Sequence, residues 1–423
     1  MLYALRGCVV GLQLFSALLL ARLMGVAEFG VYAVLWAATL ITATLISIGG
    51  PNFLLKAVPA RRTNGIKEEP FFRTLWIVFI GPCLAAVLGF LAYTYIAPYL
   101  PQDRLPPENF LWLIFGSALA YNFMQCLVVY VREEVSDNWG MLVQDIMPHM
   151  FFIITALVLF FQQSLSAQRL FEMFFYLMLA LGLCLILGLT AFRKLRLGLK
   201  VSPYEGGQTS FWYYAVFGAL SSQLDVVLAG ALFSPQVVGI YTIVKRMANF
   251  TAIPGIVAYW AISRTLSGTF AAGDREGLRN QIRLGAKLVF LPAIAIGAII
   301  FLSHPLWAKA FDVPDTPLLI PLTLALVAGN LVSAFFNVTV LAAHQCGYIL
   351  QGLYSRVFAV FLLFSLTVAV AFTGWITPIA LAVFWATHVL AFNMILWYVL
   401  KRGIKVDTSI LSLFSKTQDK ASL

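Results

Sequence analysis

Charge is what this chain has least of. Asp, Glu, Lys and Arg make up 11% of its 423 residues, against about 25% in an ordinary soluble domain. Hydrophobic residues make up 61% and the mean hydropathy is positive, so a soluble globular class is excluded: no water-soluble core absorbs that much apolar surface. Cysteine is also sparse. Cys8, Cys83, Cys126, Cys184 and Cys346 lack metal-ligand spacing, fall in or beside apolar runs and read as packing residues. The chain has no Gly-rich phosphate loop, no paired-His metal motif and no nucleophile elbow. That excludes ATP-driven work by this chain alone and predicts a non-enzyme with no cofactor and no metal. No small-residue cleavage pattern follows the first apolar run, so the first helix itself reads as the insertion signal.

What is present is apolar sequence in twelve segments. They run Leu2 to Leu23, Val31 to Ala57, Leu75 to Ala97, Phe110 to Val131, Met141 to Phe161 and Phe171 to Phe192. Six more follow: Phe211 to Phe233, Val238 to Trp260, Gly285 to Ser303, Leu318 to Ala343, Ile349 to Phe372 and Ile376 to Leu400. Most reach the roughly 20 residues that cross about 30 Å of hydrocarbon. Helices follow, because lipid cannot satisfy bare backbone groups. The predicted fold class is an all-α polytopic membrane protein of twelve transmembrane helices.

Lys and Arg crowd onto alternate connections. One set holds Lys56, Arg61, Arg62, Lys67 and Arg73; Arg132; Arg193, Lys194, Arg196 and Lys200; Arg264, Arg275, Arg279, Arg283 and Lys287; Arg356; and Lys401, Arg402, Lys405, Lys416 and Lys420. These are three quarters of the 28 basic residues, whereas the opposite set holds only Arg22, Arg104, Arg169 and Lys309. The positive-inside rule therefore predicts cytoplasmic termini. The asymmetry accounts for most of the net charge of +10, and anionic headgroups rather than nucleic acid are the predicted neighbours of these cations.

The polar stretch Arg193 to Ser210, with Pro203 and Gly206-Gly207, divides the spans six and six. The expected organisation is an N-terminal lobe (1–200), a C-terminal lobe (201–403) and a cytoplasmic tail (404–423) that is disordered. The halves echo one another: "EFGVYAV" at Glu28 to Val34 and "VVGIYTI" at Val237 to Ile243 lie 209 residues apart, each just after a very short connection. Equal starting orientation makes them parallel repeats, whose transport sites lie between lobes near the midplane. The Arg264 to Lys287 connection, with Arg275, Arg279 and Arg283 at i, i+4, i+8, reads either as an interfacial helix along the inner headgroups or as a solvated charged face.

Charges inside the spans carry the functional reading, since each costs about 2.5–3.5 kcal/mol at a helix centre. Asp225 and Lys245 flank the short turn at Ser234 and Pro235 at similar depth. They read as a buried ion pair, which leaves Arg246 without a partner in the sequence, or as part of a hydrated cavity. Thr242, Lys245 or Arg246, and Asn249 form a polar stripe on one helical face. Ser221, Ser222 and Asp225 in the seventh span, Arg6, Gln13 and Ser16 in the first, and Asn330, Ser333 and Asn337 in the tenth recur in the same manner. Interhelical hydrogen bonds explain such stripes singly; their recurrence favours a shared polar cavity. At the 209-residue offset Asp225 and Lys245 correspond to Ser16 and Trp36, so this cavity is asymmetric and net positive, which suits an anionic cargo. Asp145 and His149, at i, i+4 beside Pro148, read as a proton-sensitive pair or as a plain hydrogen-bonded one. His388 reads as a packing donor, and Pro254-Gly255 as a hinge or a tolerated kink.

"ARLMGVAEFGVYAV" closing the first hairpin, "DVVLAGALFSPQVVGIYTIVKRMANF" opening the second half and "AAGDREGLRNQ" after the eighth span resemble the Wzx-type oligosaccharide flippases. These belong to the multidrug/oligosaccharidyl-lipid/polysaccharide exporter superfamily. The resemblance covers nearly the whole chain and implies two six-helix lobes that alternate access. The implied cargo is an undecaprenyl-diphosphate-linked oligosaccharide crossing the bacterial inner membrane for O-antigen or related polysaccharide assembly. It implies a coupling ion, H+ or Na+, and polymerase or assembly proteins as partners. It also places Asp225, Lys245 and Arg22 at family-like positions. The expected cationic track for the diphosphate is Arg6, Lys56, Lys245 and Arg246, with Asp225, Asn249, Gln13 and Asn337 lining the cavity and Asp145 and His149 coupling the ion. A drug/cation antiporter of the same superfamily is the first alternative. A membrane glycan polymerase or glycosyltransferase is the second, disfavoured by the short outer connections Pro98 to Asn109 and His304 to Pro317.

Overall fold

The computed structural model describes residues 2–51, 54, 91, 108–191, 208–314 and 316–414. The third predicted span apart from Leu91, most of the connections on either side of it and the lobe boundary at 200/201 lie outside these residues, as do positions 415–423. Every regular element among the described residues is helical. In chain order these are α1 (Leu2–Met24), α2 (Val26–Ile46), α3 (Glu108–Glu134), α4 (Asp137–Met141), a π turn (Leu142–Ile146), α5 (Met147–Phe161), α6 (Ala167–Ala191) and α7 (Gln208–Leu232). Then come α8 (Pro235–Ala248), a 3-10 turn (Asn249–Ala252), α9 (Ile253–Ala271), α10 (Arg275–Leu302), α11 (His304–Ala310), α12 (Leu319–Phe335), α13 (Asn337–Gln345), α14 (Ile349–Phe372), α15 (Pro378–Gly403) and a 3-10 turn (Ile410–Leu413). Among the described residues 8 helices are long and apolar enough to cross a membrane, or 9 with the bent α12–α13 pair taken as one span. The protein is an all-α, multi-pass membrane protein. Exposed aromatic residues, Trp112, Phe161, Phe372 and Trp375, mark the cation-poor ends of α3, α5 and α14, as expected of side chains at a membrane interface.

Packing divides the chain into two compact units, Met1–Gly239 and Ile240–Leu423. In the first unit, α2 starts after Gly25, whose φ of 80° suits glycine. Two residues into α2, the Glu28 carboxylate accepts the Ala167 N–H at 3.0 Å. That satisfies an orphan donor at the start of α6 and sets a negative charge against its positive dipole end. Helix α7 lies along α2: the Trp212 indole donates to the carbonyls of Thr44 (3.2 Å) and Leu45 (3.0 Å), at the far end of α2. The centre is aromatic. Phe152 stacks on Phe174 with ring centroids 4.4 Å apart, and Trp36 meets both edge-on.

In the second unit α9 and α10 form a long hairpin. The turn uses Gly273 at φ 69°, and Asp274 caps α10 by accepting the Gly277 N–H at 2.8 Å. The Arg264–Lys287 connection is therefore no separate interfacial helix. Once Asp274 starts α10, nothing interrupts it before Leu302, so Arg275, Arg279 and Arg283 belong to the first turns of a spanning helix. The tail also departs from expectation, because Ile404, Val406 and Ile410 are buried and hold residues 404–414 as a strap. Arg283 Nε donates to the Ser412 carbonyl at 3.0 Å, and the hydroxyls of Thr339 and Thr408 lie 2.9 Å apart. Asp407 anchors the strap by accepting from the Trp397 indole, the Ser409 N–H and the Ser409 hydroxyl, with Lys401 at 3.3 Å. Burial pushes its pKa up, but these bonds together outweigh burial and leave it below the ordinary 3.8.

Two outcomes test this packing. Phe152→Ala should cost about 3–5 kcal/mol, seen as a lowered unfolding midpoint of the detergent-solubilised protein, whereas exposed Phe372→Ala should leave it unmoved. Since the folded Asp407 carboxyl titrates below its unfolded value, its contribution is fully present above pH ~4 and is lost as pH falls through the folded pKa. Proteolytic nicking within 404–414 should therefore rise only in acid, and Asp407→Asn should bring the same nicking to neutral pH.

Candidate functional site

Proline accompanies two of the breaks in the spanning helices, whereas Pro292 lies within α10 without one. Pro254 has no N–H to offer the Phe250 carbonyl. That carbonyl instead accepts from Ile253, closing a 3-10 turn over Asn249–Ala252, and the Thr251 hydroxyl donates to the Ala248 carbonyl at 2.7 Å. The helical irregularity, read from the sequence as a hinge or a tolerated kink at Pro254-Gly255, thus lies one turn earlier. Pro148 likewise cannot serve the Gln144 carbonyl. The chain widens into the π turn before it, with the Met147 N–H reaching back to Leu142. A third break has no proline: α12 and α13 meet at Phe336 with a bend of 44°. Each break carries one of the polar residues singled out from sequence, namely Asn249, Asp145 and Asn337.

In the second unit, Lys245 ends the regular part of α8 only 5% exposed, with its ammonium over the Trp385 ring at 5.7 Å from the centroid. Desolvation makes such a cation–aromatic contact worth about 2 kcal/mol or more. A methyl group on Gly329 would come within 2.6 Å of the Trp385 ring, so glycine is what lets α12 seat that indole. The next residue, Asn330, donates to the Asn249 side chain at 3.4 Å and to the Leu326 carbonyl at 3.2 Å. His388 Nδ1 lies 3.0 Å from the Trp385 carbonyl of its own helix. The Trp385 indole N–H and the Thr242 hydroxyl are buried with no hydrogen-bond partner among the described residues. A buried cation and spare donors therefore sit on α8 and α15, while Arg246, beside Lys245, is half-buried. Arg356, counted from sequence with the connections, lies half-buried on α14 with its guanidinium 5.0 Å from the Phe392 ring centroid.

In the first unit, Asp225 is fully buried on α7. Asp145 and His149 are half-buried on either side of the π turn's end. Asp145 lies within electrostatic reach of Tyr121, which shares a side-chain hydrogen bond with Gln125 and meets Trp36 edge-on at 5.8 Å. Gln13 is exposed on α1 and Ser16 is buried one turn later. Arg6 and Asn337 lie on α1 and α13, with side chains outside the description, and Lys56 lies outside the described residues altogether. Trp385 and Gly329 are the residues that sequence reasoning missed. An apolar ring and a helical glycine carry no signal of their own until the fold sets them against Lys245.

The family model described as "Polysaccharide biosynthesis protein" matches residues 1–265, and the model described as "MatE" matches 216–376. No curated protein matches the sequence. Among solved structures, an inward-facing multidrug resistance MATE family transporter of the MOP superfamily superposes with a TM-score of 0.69 at 14% identity, over 93% of this chain and 94% of that one. An outward-facing MATE family transporter of the same superfamily gives 0.61 at 13%, over 95% and 93%. The Vibrio cholerae MATE transporter VcmN in its bent form gives 0.58 at 15%, over 94% of each. These likenesses show a shared fold. The family match over more than half of the chain, on a multi-pass fold of this kind, shows that the chain belongs to the polysaccharide biosynthesis protein family of membrane transporters, in the multidrug/oligosaccharidyl-lipid/polysaccharide exporter superfamily.

Proposed function

We propose that this protein flips a polyprenyl-diphosphate-linked oligosaccharide, of undecaprenyl type, across the bacterial inner membrane for O-antigen or related polysaccharide assembly. The observation that carries the reading is Lys245, a buried cation on a spanning helix, held over Trp385 beside a spare indole donor. Ammonium and N–H donors are what a diphosphate recognises, whereas a cationic drug would meet repulsion there. Sugar hydroxyls cost about 4–8 kcal/mol each to dehydrate in a purely apolar medium. The headgroup therefore needs a hydrated path lined by residues such as Asn249 and Asn330, while the polyprenyl tail stays in lipid. The cation-rich ends of the helices face the cytoplasm, and both termini lie there. Arg6, Lys56 and Arg246 extend the track from Lys245, and Asp225 sets its charge balance. Asp145 and His149, at the π turn, take up the coupling ion, H+ or Na+. Polymerase and assembly proteins are the partners that receive the glycan.

The MatE match over 216–376 favours one second reading, an ion-coupled drug or cation antiporter. A purified-protein assay separates the two. In proteoliposomes carrying a fluorescent polyprenyl-diphosphate sugar, Lys245→Met should slow translocation about 10–100-fold, the loss expected for one hydrogen bond to a charged group. Lys245→Arg should restore part of it. Trp385→Leu should weaken translocation more than Trp385→Phe, which keeps an aromatic face. Unchanged translocation in Lys245→Met, or rhodamine-type drug efflux in place of lipid translocation, overturns the reading.

A further inference from the structure

The strap at 404–414 belongs to the second compact unit and has two unlike faces. Ile404, Val406 and Ile410 are buried against the helices, whereas Leu411 is 50% exposed and Phe414 79%. These two stand on either side of Ser412, whose carbonyl accepts from Arg283 Nε on α10. The next residue of α10, Leu284, opens a stripe. Leu284, Leu288, Leu291 and Leu302 are all exposed, and at about 100° per residue they fall within a band roughly 60° wide. On a helix long and apolar enough to span a membrane, such a stripe faces lipid. The strap thus crosses α10 where its lipid-facing stripe begins, and leaves two apolar side chains exposed there.

Cations stand on the strap and on the helices that it joins. Lys287, one turn after Arg283 on α10, is exposed, as are Arg402 and Lys405. The Arg402 guanidinium lies 4.4 Å from the ring centroid of Tyr398, itself exposed. Lys405 has φ 56°, the left-handed conformation in which a chain usually leaves a helix on glycine. A lysine there strains the backbone and gives the reversal a charge that glycine lacks. The strap's one carboxylate, Asp407, is already engaged by Trp397, Ser409 and Lys401, so the strap's exposed charge is positive. An apolar pair accompanied by cations matches the headgroup–acyl boundary of an anionic leaflet. An acidic protein would satisfy the cations, but would have to displace lipid from Leu284 and Leu288 to reach the pair.

We propose that the strap is an interfacial anchor: Leu411 and Phe414 immerse in the leaflet at the cation-rich ends of the helices, while Lys287, Arg402 and Lys405 bind the phosphodiester headgroups of its anionic lipids. The inference does not depend on which cargo is carried.

The test uses the full chain, one copy per nanodisc, with the five native cysteines replaced by Ser and Leu411→Cys carrying a nitroxide. In phosphatidylcholine containing phosphatidylglycerol, dissolved oxygen should relax this label more than a water-soluble nickel chelate does. In phosphatidylcholine alone the order should reverse. Lys405→Gln should lower the ratio of immersed to solvated label about fivefold, the weight of one cation near an anionic surface, and Arg402→Gln should act alike. Phe414→Asp should abolish immersion. Maleimide labelling of Ile410→Cys, introduced separately, should stay slow in each variant, which distinguishes emergence from lipid from detachment of the strap. Where it becomes fast, the comparison of the two lipids with the strap otherwise unaltered decides. A label solvated in both lipids, or immersed equally in both, overturns the proposal. So does a label shielded in detergent micelles and exposed by deletion of residues 415–423, since the tail and not lipid would then cover the pair.

Discussion

Hydrocarbon offers no partner to a backbone N–H or C=O, and the rest of this structure depends on how that constraint is met. Over most of its length the chain meets it with uninterrupted helix. At Pro254 and Pro148 it cannot, because proline withholds a donor. The helix then tightens to 3-10 over Asn249–Ala252 and widens to π over Leu142–Ile146, re-pairing most of the freed carbonyls within one turn. Such breaks leave polar backbone and polar side chains within a spanning helix, a recurrent setting for transport sites. Asn249 and Asp145 stand at these breaks, and Asn249 is tied to Asn330 on α12.

The same economy governs the charges. A buried lysine is retained when its surroundings offset desolvation, and the Trp385 ring face does part of this for Lys245. The ring is seated where Gly329 has no side chain. The position of the ammonium thus depends on Trp385 and Gly329, from two other helices. At the other end of the second unit, Asp407 draws an indole, a hydroxyl, a backbone N–H and Lys401 onto one carboxylate, holding the strap against the start of α10.

Much of the fold was legible in the sequence because its signals are local. The long apolar runs mark the spans by hydropathy alone, each within its own segment. The errors were non-local. The strap at 404–414 read as a polar tail because its apolar residues alternate with polar ones, so only the groove beside α10 and α13 reveals the burial of Ile404, Val406 and Ile410. The cationic segment after α9 read as an interfacial helix or a solvated charged face because its composition changes at Gly285, although its helix runs on through that point. Lys245, Asn249 and Asp145 stood out as polar residues in apolar company, but Trp385 had no such contrast.

By itself the sequence determined that the chain crosses a membrane repeatedly as helices and that two repeats begin alike, since hydropathy and short motifs act within a few residues. Only the tertiary structure decided that Trp385 lies under Lys245 and that the tail folds back. Those outcomes depend on which surfaces come within van der Waals reach, a property of the packed chain that no single segment carries.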